Sequence, residues 1–490
     1  MWLVLPLVAA AVLRWHHLDR LEPFVDEGAN ILTGLDTRIR EVFQPLEQGR
    51  PLLVWLFRPA TFLPGNLLWA ARSLAALAGL ATIGGLGFVL ARLAGWRAAV
   101  WGMWLWALLP VAVWHERLAL QDPFVTAALT LAVAFLVAAQ RSTGAARLAW
   151  PACGLMLGVA FLLKISAIFA LPWIGILHLG LRRADARPLF DFGLAYALAG
   201  ALLPVACLGR RLSRLGSGLG NYHVLPTAGG WLAGYLSRLD TWTGWYLGYD
   251  GWPLLLLLAI ALVAIPRLAA HRTLAWCLAG GWLANLLISS FFYAMPYARY
   301  TLPDHLPLVL GVAVVLATVG GKRLRPLAMS AGAIALVRFG MVDIRVVSDP
   351  ANAPVPESEI EQYVTGPWSG RGTQAVRNYL TAYADLHRTQ CLVLTHRGLR
   401  PGCYALMLAE WGDARIGVMP FTIYERKDLE ATLPSLRKLA QGRAVAFFIL
   451  YEGSLYPAPA WAGTPGSRTE LAATVDRDGG ESFSLYRVTP

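Results

Sequence analysis

The feature that most constrains this chain is a series of apolar runs, most of them long enough to cross a lipid bilayer. A spanning helix needs about 17–25 mostly apolar residues. The first run is short and lacks a leading positive charge, so a signal-peptide core is an alternative interpretation of it. The two runs beside Lys164 form either two helices or one broken helix. We predict about 11 transmembrane helices, near residues 2–15, 67–91, 97–114, 123–140, 148–163, 165–181, 190–209, 252–267, 273–292, 304–320 and 325–341.

The composition supports a membrane protein and argues against a soluble or disordered one. Hydrophobic residues make up 57% of the chain and charged residues only 15%, whereas soluble domains carry about 25% charged residues. The net charge of +12 comes mainly from arginine. Basic loops of a membrane protein account for this sign, so we expect the bilayer as a partner and no nucleic acid. The predicted fold class is an all-α polytopic membrane protein.

The distribution of charges between alternate loops predicts the orientation. If the N-terminus is cytoplasmic, the cytoplasmic loops carry Arg92, Arg97, Arg141, Arg147, Arg182, Arg183, Arg187, Arg267, Arg272, Lys322, Arg323 and Arg325. Only two acids, Asp185 and Asp191, lie near these cations, whereas the opposite loops hold a series of acids that includes Asp19, Glu22, Asp36, Glu47, Asp240 and Asp250. This asymmetry satisfies the positive-inside rule. We therefore predict a multi-pass protein of the cell (inner) membrane.

Two long segments then fall on the outer face. Residues 16–66 form a first loop with a short apolar stretch, 52–57, which suits an amphipathic helix lying in the membrane interface. Residues 210–251 form a second loop rich in Trp and Tyr. Such a cluster is typical of an aromatic belt at the membrane surface, and sugar stacking is the alternative.

The character of the sequence changes after about residue 342. Prolines mark residues 342–372 as a linker, and the remainder has the pattern of a small soluble α/β domain. Its strands are predicted at 391–395, 444–451 and 483–488, and its helices at 373–387 and 426–441. We predict a transmembrane domain at 1–341 and an extracytoplasmic domain at 373–490.

Charged residues close to a membrane are costly and by default indicate function. The clearest case is Asp26-Glu27, two adjacent acids in an apolar setting soon after the first predicted span. Their alternative role is structural, because acids are favoured near a helix N-terminus.

Other charges lie at the ends of later spans. Glu116-Arg117 and Asp122 share a short outer loop, where Asp122 before Pro123 also suits a helix cap. Lys164 and Arg299 are cations beside apolar runs. Each is a candidate contact for an anionic group, and the alternative is a side chain that anchors the helix at the membrane surface.

Several other chemistries receive no support from the sequence. It contains no P-loop, GxGxxG or HExxH motif, which argues against ATP-driven transport and a zinc protease. The scattered histidines give no confident metal site. Cys391 and Cys403 could pair if the tail is extracytoplasmic, or remain free thiols.

Taken in order, these motifs resemble the GT-C glycosyltransferases. The resemblance rests on Asp26-Glu27, on Arg117-Leu-Ala-Leu-Gln-Asp122, on Lys164 and on Arg299-Tyr-Thr-Leu-Pro303. The sequence is similar to the protein O-mannosyltransferase-like family 39 and to the aminoarabinose transferase of lipid A modification. Most of residues 1–341 share the similarity.

The resemblance implies an enzyme that moves a sugar from a polyprenyl-phosphate donor to a protein, lipid or polysaccharide acceptor at the outer face. It assigns Asp26, with Glu27 beside it, as a catalytic base or as a group that holds a metal or the acceptor. It assigns Lys164 and Arg299 to the donor phosphate, and Asp122, with Glu116 and Arg117, to the substrate or to a metal. No cofactor is certain, and a divalent cation is an open alternative.

Two other classes of protein remain as rivals at this stage. A transporter or flippase of lipid-linked saccharides would also need a polar cavity and cationic phosphate contacts. Transporters usually show paired repeats and broken helices at the bilayer midplane, and no repeat is evident here. In a non-catalytic membrane scaffold, the acids close to the membrane would have no function.

Overall fold

The computed structural model describes most of the chain, in segments separated by gaps. They are residues 2–36, 52–63, 66–140, 146–181, 231–268, 270–292, 297–396, 400–410, 412–421, 423, 425–453, 455–476 and 482–490. Contacts divide the chain into two compact units. The first comprises residues 1–16, 37–56 and 72–356, and the second 17–36, 57–71 and 357–490.

Helices account for most of the described residues. They are α1 (Val4–Trp15), α2 (Val25–Asp36), α3 (Leu53–Leu56), α4 (Leu67–Ala94), α5 (Trp96–Ala107), α6 (Pro110–His115), α7 (Asp122–Ala139), α8 (Ala146–Leu163), α9 (Leu171–Leu181), α10 (Trp231–Ala264), α11 (Arg272–Phe292), α12 (His305–Thr318), α13 (Leu324–Ser348), α14 (Glu357–Ile360), α15 (Thr373–His387), α16 (Pro401–Glu410) and α17 (Arg426–Ala440). Short 3₁₀ turns cover Arg58–Phe62, Ile165–Ala170, Ile265–Arg267, Ala298–Thr301 and Pro350–Asn352.

The first unit is helical, as the apolar runs predict. Within the described residues, five helices are long and apolar enough to cross a membrane: α4, α7, α10 with its following turn, α11 and α13. Shorter apolar helices occur at the predicted spans near 2–15, 148–163, 165–181 and 304–320. The predicted span at 190–209 lies outside the described residues, and the number of spans stays a prediction.

Helix α13 shows the kind of surface that lipid would cover. Ile334, Val337, Met341 and Ile344 follow the three- and four-residue spacing of one helix face, and their side chains are 44–63% exposed. A row of exposed large apolar side chains is unusual on a soluble monomer. The composition of this face therefore agrees with a helix surrounded by lipid.

Prolines and one glycine interrupt the predicted spans. The run at 97–114 is two helices, because Pro110 starts α6 after a break at Leu109. Helix α10 bends at Gly251, whose φ of 66° lies in the left-handed region, two residues before Pro253. The prediction of a loop up to residue 251 is wrong for residues 231–250, which form the first half of α10.

The second unit contains a five-stranded mixed sheet. Its strands are β1 (Gln390–Thr395), β2 (Ile416–Pro420), β3 (Val445–Glu452), β4 (Thr469–Asp476) and β5 (Ser482–Val488). The strand order is β2-β1-β3-β5-β4. β1 pairs in parallel with β2 and β3, whereas β5 pairs in antiparallel fashion with β3 and β4.

Helices pack on both faces of this sheet, because β3 directs alternate side chains to opposite sides. Phe448 and Leu450 join a core with residues of α15 and α16, whereas Phe447 and Ile449 join a core with residues of α17. The predicted strands at 391–395, 444–451 and 483–488 and the two predicted helices are present. Strands β2 and β4 were not predicted.

Candidate functional site

The most closely paired of the predicted site residues are Asp122 and Lys164 in the first unit. Asp122 opens α7, and Lys164 stands in extended conformation between α8 and the 3₁₀ turn that follows it. The Lys164 Nζ donates to Asp122 Oδ1 at 2.6 Å, and both residues are buried. The broken-helix interpretation of this region is close to what the structure shows, and the break is what turns Lys164 inward.

Arg299 lies close to the same ion pair, against the rings of Tyr297 and Tyr300. The Lys164 Nζ lies 3.6 Å from the centre of the Tyr300 ring. The Arg299 guanidinium lies 4.7 Å from the Tyr297 ring and 5.7 Å from the Tyr300 ring. Cations over aromatic faces are stabilised electrostatically. The structure thus gathers Asp122, Lys164 and Arg299 around Tyr300 in a buried cluster with two cations and one ion-paired acid.

A small cavity opens beside this cluster. Its volume is about 10 Å³, and its lining includes Asp122, Lys164, Ser289, Tyr300 and Asp304. A space of this size holds roughly one water molecule. The cavity is therefore a narrow polar recess next to the ion pair.

A polar group that was not predicted from the sequence lies at this recess. Asp304 Oδ1 accepts a hydrogen bond from Asn285 Nδ2 at 2.5 Å. The next residue, His305, has its Nε2 2.8 Å from Asp250 Oδ2 and its Nδ1 2.7 Å from the Thr301 carbonyl oxygen. Asp304 lies at the start of an apolar span. An acid in that position can be recognised in a sequence as a candidate functional residue.

Glu116 and Arg117 are tied to the end of α1. Glu116 accepts hydrogen bonds from Arg14 Nε at 2.5 Å and from Trp106 Nε1 at 3.0 Å. Arg117 Nη1 donates to the carbonyl oxygens of Leu13 and His16 at 2.6 and 2.7 Å. These contacts give both residues a structural role at the end of α1, while a role in substrate binding stays a prediction.

Gly79 on α4 lets the buried Arg14–Glu116 pair pack against that helix. A Cβ at residue 79 would clash with the Glu116 carboxylate and with Arg14. We expect Gly79→Ala to destabilise the protein by about 1–3 kcal/mol, the usual cost of overpacking. Gly84 on the same helix is the matched control, because a Cβ there meets no described atom within 4 Å.

Melting temperatures in detergent measure the difference between the two variants. Gly84→Ala should melt at or slightly above the wild-type temperature, since alanine favours a helix by about 1 kcal/mol over glycine. Equal melting temperatures for the two variants would show that the Arg14–Glu116 pair is not confined by α4.

Asp26 and Glu27 belong to the second unit, where they begin α2. The carboxylate of Glu27 is buried and accepts a hydrogen bond from the Phe24 backbone N–H at 3.1 Å. This is the arrangement in which the third residue of a helix caps its own N-terminus. Asp26 is half-buried. The structure therefore separates the two acids, with Glu27 in the helix cap and Asp26 more exposed.

Residues of the C-terminal part surround the start of α2 within the second unit. The Val25 N–H donates to the Trp368 carbonyl oxygen at 3.2 Å, and Gly28 lies against the Tyr404 side chain, where a Cβ would clash. Burial, the neighbouring Cys403 and the charge of Asp26 raise the pKa of Tyr404 to about 12. Asp26 is thus next to a phenol that stays protonated at neutral pH.

The second unit also answers the question of the two cysteines. Cys391 in β1 and Cys403 in α16 are free thiols. Burial raises the pKa of each thiol to about 11, so both stay protonated at neutral pH and react poorly.

A bound divalent metal does not fit the residues seen here. Among the described residues, no group of three or more His, Cys, Asp or Glu side chains could hold a metal ion. The candidate acids are also engaged, Asp122 by Lys164 and Glu116 by Arg14. We therefore assign no step of the chemistry to a metal.

Comparison with known proteins identifies the fold. Residues 45–207 match the sequence profile of the family described as dolichyl-phosphate-mannose-protein mannosyltransferase. No curated protein matches the sequence.

Solved structures match nearly the whole chain. The apo crystal structure of ArnT from Cupriavidus metallidurans is 15% identical, covers 99% of this chain and 97% of its own, and has a TM-score of 0.58. ArnT from the same organism bound to undecaprenyl phosphate is 14% identical with the same coverage and a TM-score of 0.60. The Archaeoglobus fulgidus oligosaccharyltransferase in complex with Zn and sulfate is 15% identical, covers 92% of this chain and 67% of its own, and has a TM-score of 0.50.

The chain is therefore a membrane protein with the fold of the GT-C glycosyltransferases. The resemblance predicted from its short motifs is confirmed.

Proposed function

We propose that this protein is a membrane glycosyltransferase, which takes a sugar from a polyprenyl-phosphate donor and adds it to an acceptor at the outer face of the cytoplasmic membrane. The observation that carries this proposal is the buried grouping of Lys164 and Arg299 around Tyr300. Asp122 pairs with Lys164, so this cluster sets two cations against one carboxylate, and a site with an excess of positive charge suits an anion. The fold similarity to ArnT bound to undecaprenyl phosphate supports a lipid phosphate as that anion.

The chemistry needs few groups, because a sugar phosphate already carries a good leaving group. In the proposed step the acceptor hydroxyl attacks the anomeric carbon, and the bond from that carbon to the phosphate oxygen breaks. The electron pair leaves with the polyprenyl phosphate, whose growing negative charge Lys164 and Arg299 would stabilise. Asp26 takes the acceptor's proton as general base.

Asp122 would then hold Lys164 ready for the donor. In the ion pair Lys164 is oriented by the carboxylate at 2.6 Å and by the Tyr300 ring, which would fix the position of the ammonium group against the donor phosphate. The acceptor is a protein, a lipid or a polysaccharide.

The arrangement of the chain in the membrane belongs to the same proposal. The N-terminus is cytoplasmic and the C-terminal α/β region extracytoplasmic, as the distribution of basic loops supports. The division into a transmembrane domain at 1–341, a linker at 342–372 and a domain at 373–490 remains the working domain map.

Release of the lipid product tests the proposal against the transporter alternative. Purified protein in vesicles that contain an undecaprenyl-phosphate sugar and an acceptor extract should form one undecaprenyl phosphate per sugar transferred. Movement of the intact donor across the bilayer without release of undecaprenyl phosphate would contradict the proposal and favour a transporter.

A further inference from the structure

We propose that Asp304 forms a subsite for one hydroxyl group of the transferred sugar, beside the ion pair of Asp122 and Lys164. This inference rests on the proposed function, because it names the part of the donor that this recess would contact. It concerns residues of the first unit only.

The carboxylate of Asp304 has one oxygen engaged and one available. Oδ1 accepts the hydrogen bond from Asn285 Nδ2, whereas Oδ2 is buried and has no hydrogen-bond partner among the residues that the structure describes. The Asp304 residue as a whole is 4% exposed. A buried carboxylate oxygen without a donor is costly, so this oxygen is poised to accept a hydrogen bond from a ligand.

The size of the recess limits what can enter it. Asp304 and Lys164 both line the cavity of about 10 Å³, which is room for roughly one water molecule. A hydroxyl group has nearly the same size, whereas a phosphate group is larger than this space and would meet the Asp122 carboxylate. The phosphate of the donor is therefore excluded from the recess itself.

The chemistry of the lining selects a hydroxyl over a cationic group. In its carboxylate form Asp304 accepts a hydrogen bond at Oδ2, and the Lys164 ammonium donates one. A hydroxyl satisfies both because it donates one hydrogen and accepts another. An ammonium group or a metal ion would be attracted to Asp304 but repelled by Lys164.

The surroundings hold Asp304 in place. His305 follows it directly, and both ring nitrogens of His305 are engaged, one with Asp250 and the other with the Thr301 carbonyl oxygen. Asn285 on α11 fixes the Asp304 carboxylate from the other side. These contacts position the acceptor oxygen with little freedom, as a selective hydrogen-bonding site requires.

The test replaces the hydrogen-bond-accepting oxygen of Asp304 by a hydrogen-bond donor in a side chain of the same shape. In Asp304→Asn, the amide oxygen can keep the bond to Asn285 while an NH₂ group replaces the unpartnered oxygen. Asp240→Asn is the matched control, because Asp240 is an exposed acid of α10. The probes are undecaprenyl phosphate, its glucose, mannose, galactose and arabinose derivatives, and monodeoxy analogues of whichever derivative binds most tightly.

Dissociation constants from native mass spectrometry distinguish the outcomes. We expect Asp304→Asn to bind undecaprenyl phosphate within about twofold of wild type, and its preferred sugar derivative about 10- to 100-fold more weakly, the range for a lost hydrogen bond to a charged group. One deoxy analogue should bind wild type weakly but show no further loss in the variant.

Three results would overturn the inference. Equal weakening of undecaprenyl phosphate and its sugar derivative would make Asp304 a structural residue, and unchanged binding of both would remove it from the site. In either case the proposed function would still stand. If wild type bound none of the probes, the proposed function would fail and this inference with it.

A second variant covers the case in which Asp304→Asn does not fold. Ser289→Ala removes a hydroxyl from the lining of the same recess and keeps the Asp304 side chain itself unchanged. It should weaken the sugar derivative by a few fold and leave undecaprenyl phosphate unaffected. Unaltered binding of the sugar derivative would count against the subsite.

Discussion

Replacing Lys164 by methionine should lower sugar transfer by about 100- to 1000-fold, the usual effect of removing one group that stabilises developing negative charge. Methionine keeps much of the length and apolar stem of lysine and removes the ammonium. Lys164 is buried, so water cannot replace the ammonium group in stabilising the negative charge. The measurement is kcat/KM for transfer from an undecaprenyl-phosphate sugar.

The single variant also leaves Asp122 as a buried acid without its partner. Breaking a buried ion pair from one side costs about 3–5 kcal/mol, so a loss of activity could reflect unfolding. The double variant Lys164→Met/Asp122→Asn removes both charges and should recover most of the melting temperature. Because the phosphate contact is still absent, transfer should stay low.

The double variant therefore separates stability from function. Recovery of transfer together with the melting temperature would show that Lys164 serves the fold and not the phosphate. Lys322→Met, at an exposed lysine between α12 and α13, is the control for the substitution itself and should behave as wild type.

The second large effect is expected from Asp26→Asn. The amide has the shape of the carboxylate but cannot take the acceptor's proton, and a general base contributes about 100- to 10,000-fold to the rate. We expect transfer to fall by this factor while the protein accumulates normally. Transfer in membranes supplied with the lipid-linked sugar measures it.

Glu27 provides the internal comparison, because the structure gives it a different task. A glutamine at residue 27 can still accept the Phe24 N–H bond, so Glu27→Gln should cost less activity than Asp26→Asn. Asp19→Asn, at an exposed acid of the same loop, controls for the loss of one negative charge. Near-normal transfer by Asp26→Asn would remove Asp26 as the base.

The fold was predictable where apolar residues form continuous runs. β3 is buried on both faces along most of its length, and the apolar run in its sequence VAFFILYE indicates this directly. β2 escaped notice because its five residues, IGVMP, include a glycine and a proline. β4 escaped because it lies at the sheet edge, where its partly exposed residues TELAATVD include only two large apolar side chains, Leu471 and Val475.

Individual residues of the candidate site were predictable from the sequence, but the contacts between them were not. Lys164 stood out as a cation between apolar runs, yet its partner Asp122 lies 42 positions away in the sequence and only packing of α7 against α8 brings them together. Asp304 was hidden because one acid before a span is also an ordinary interfacial residue. Its bond with Asn285 depends on the packing of α11 against the start of α12, which no local pattern specifies.

The most direct test of the account is whether the site recognises the charge of a lipid phosphate. Native mass spectrometry can compare the binding of undecaprenyl phosphate and of undecaprenol, which has the same chain without the phosphate. We predict that wild type binds undecaprenyl phosphate at least tenfold more tightly than the alcohol, and that Lys164→Met/Asp122→Asn and Arg299→Met reduce this preference. Equal binding of the two lipids by wild type, or a preference untouched by either variant, would contradict the account.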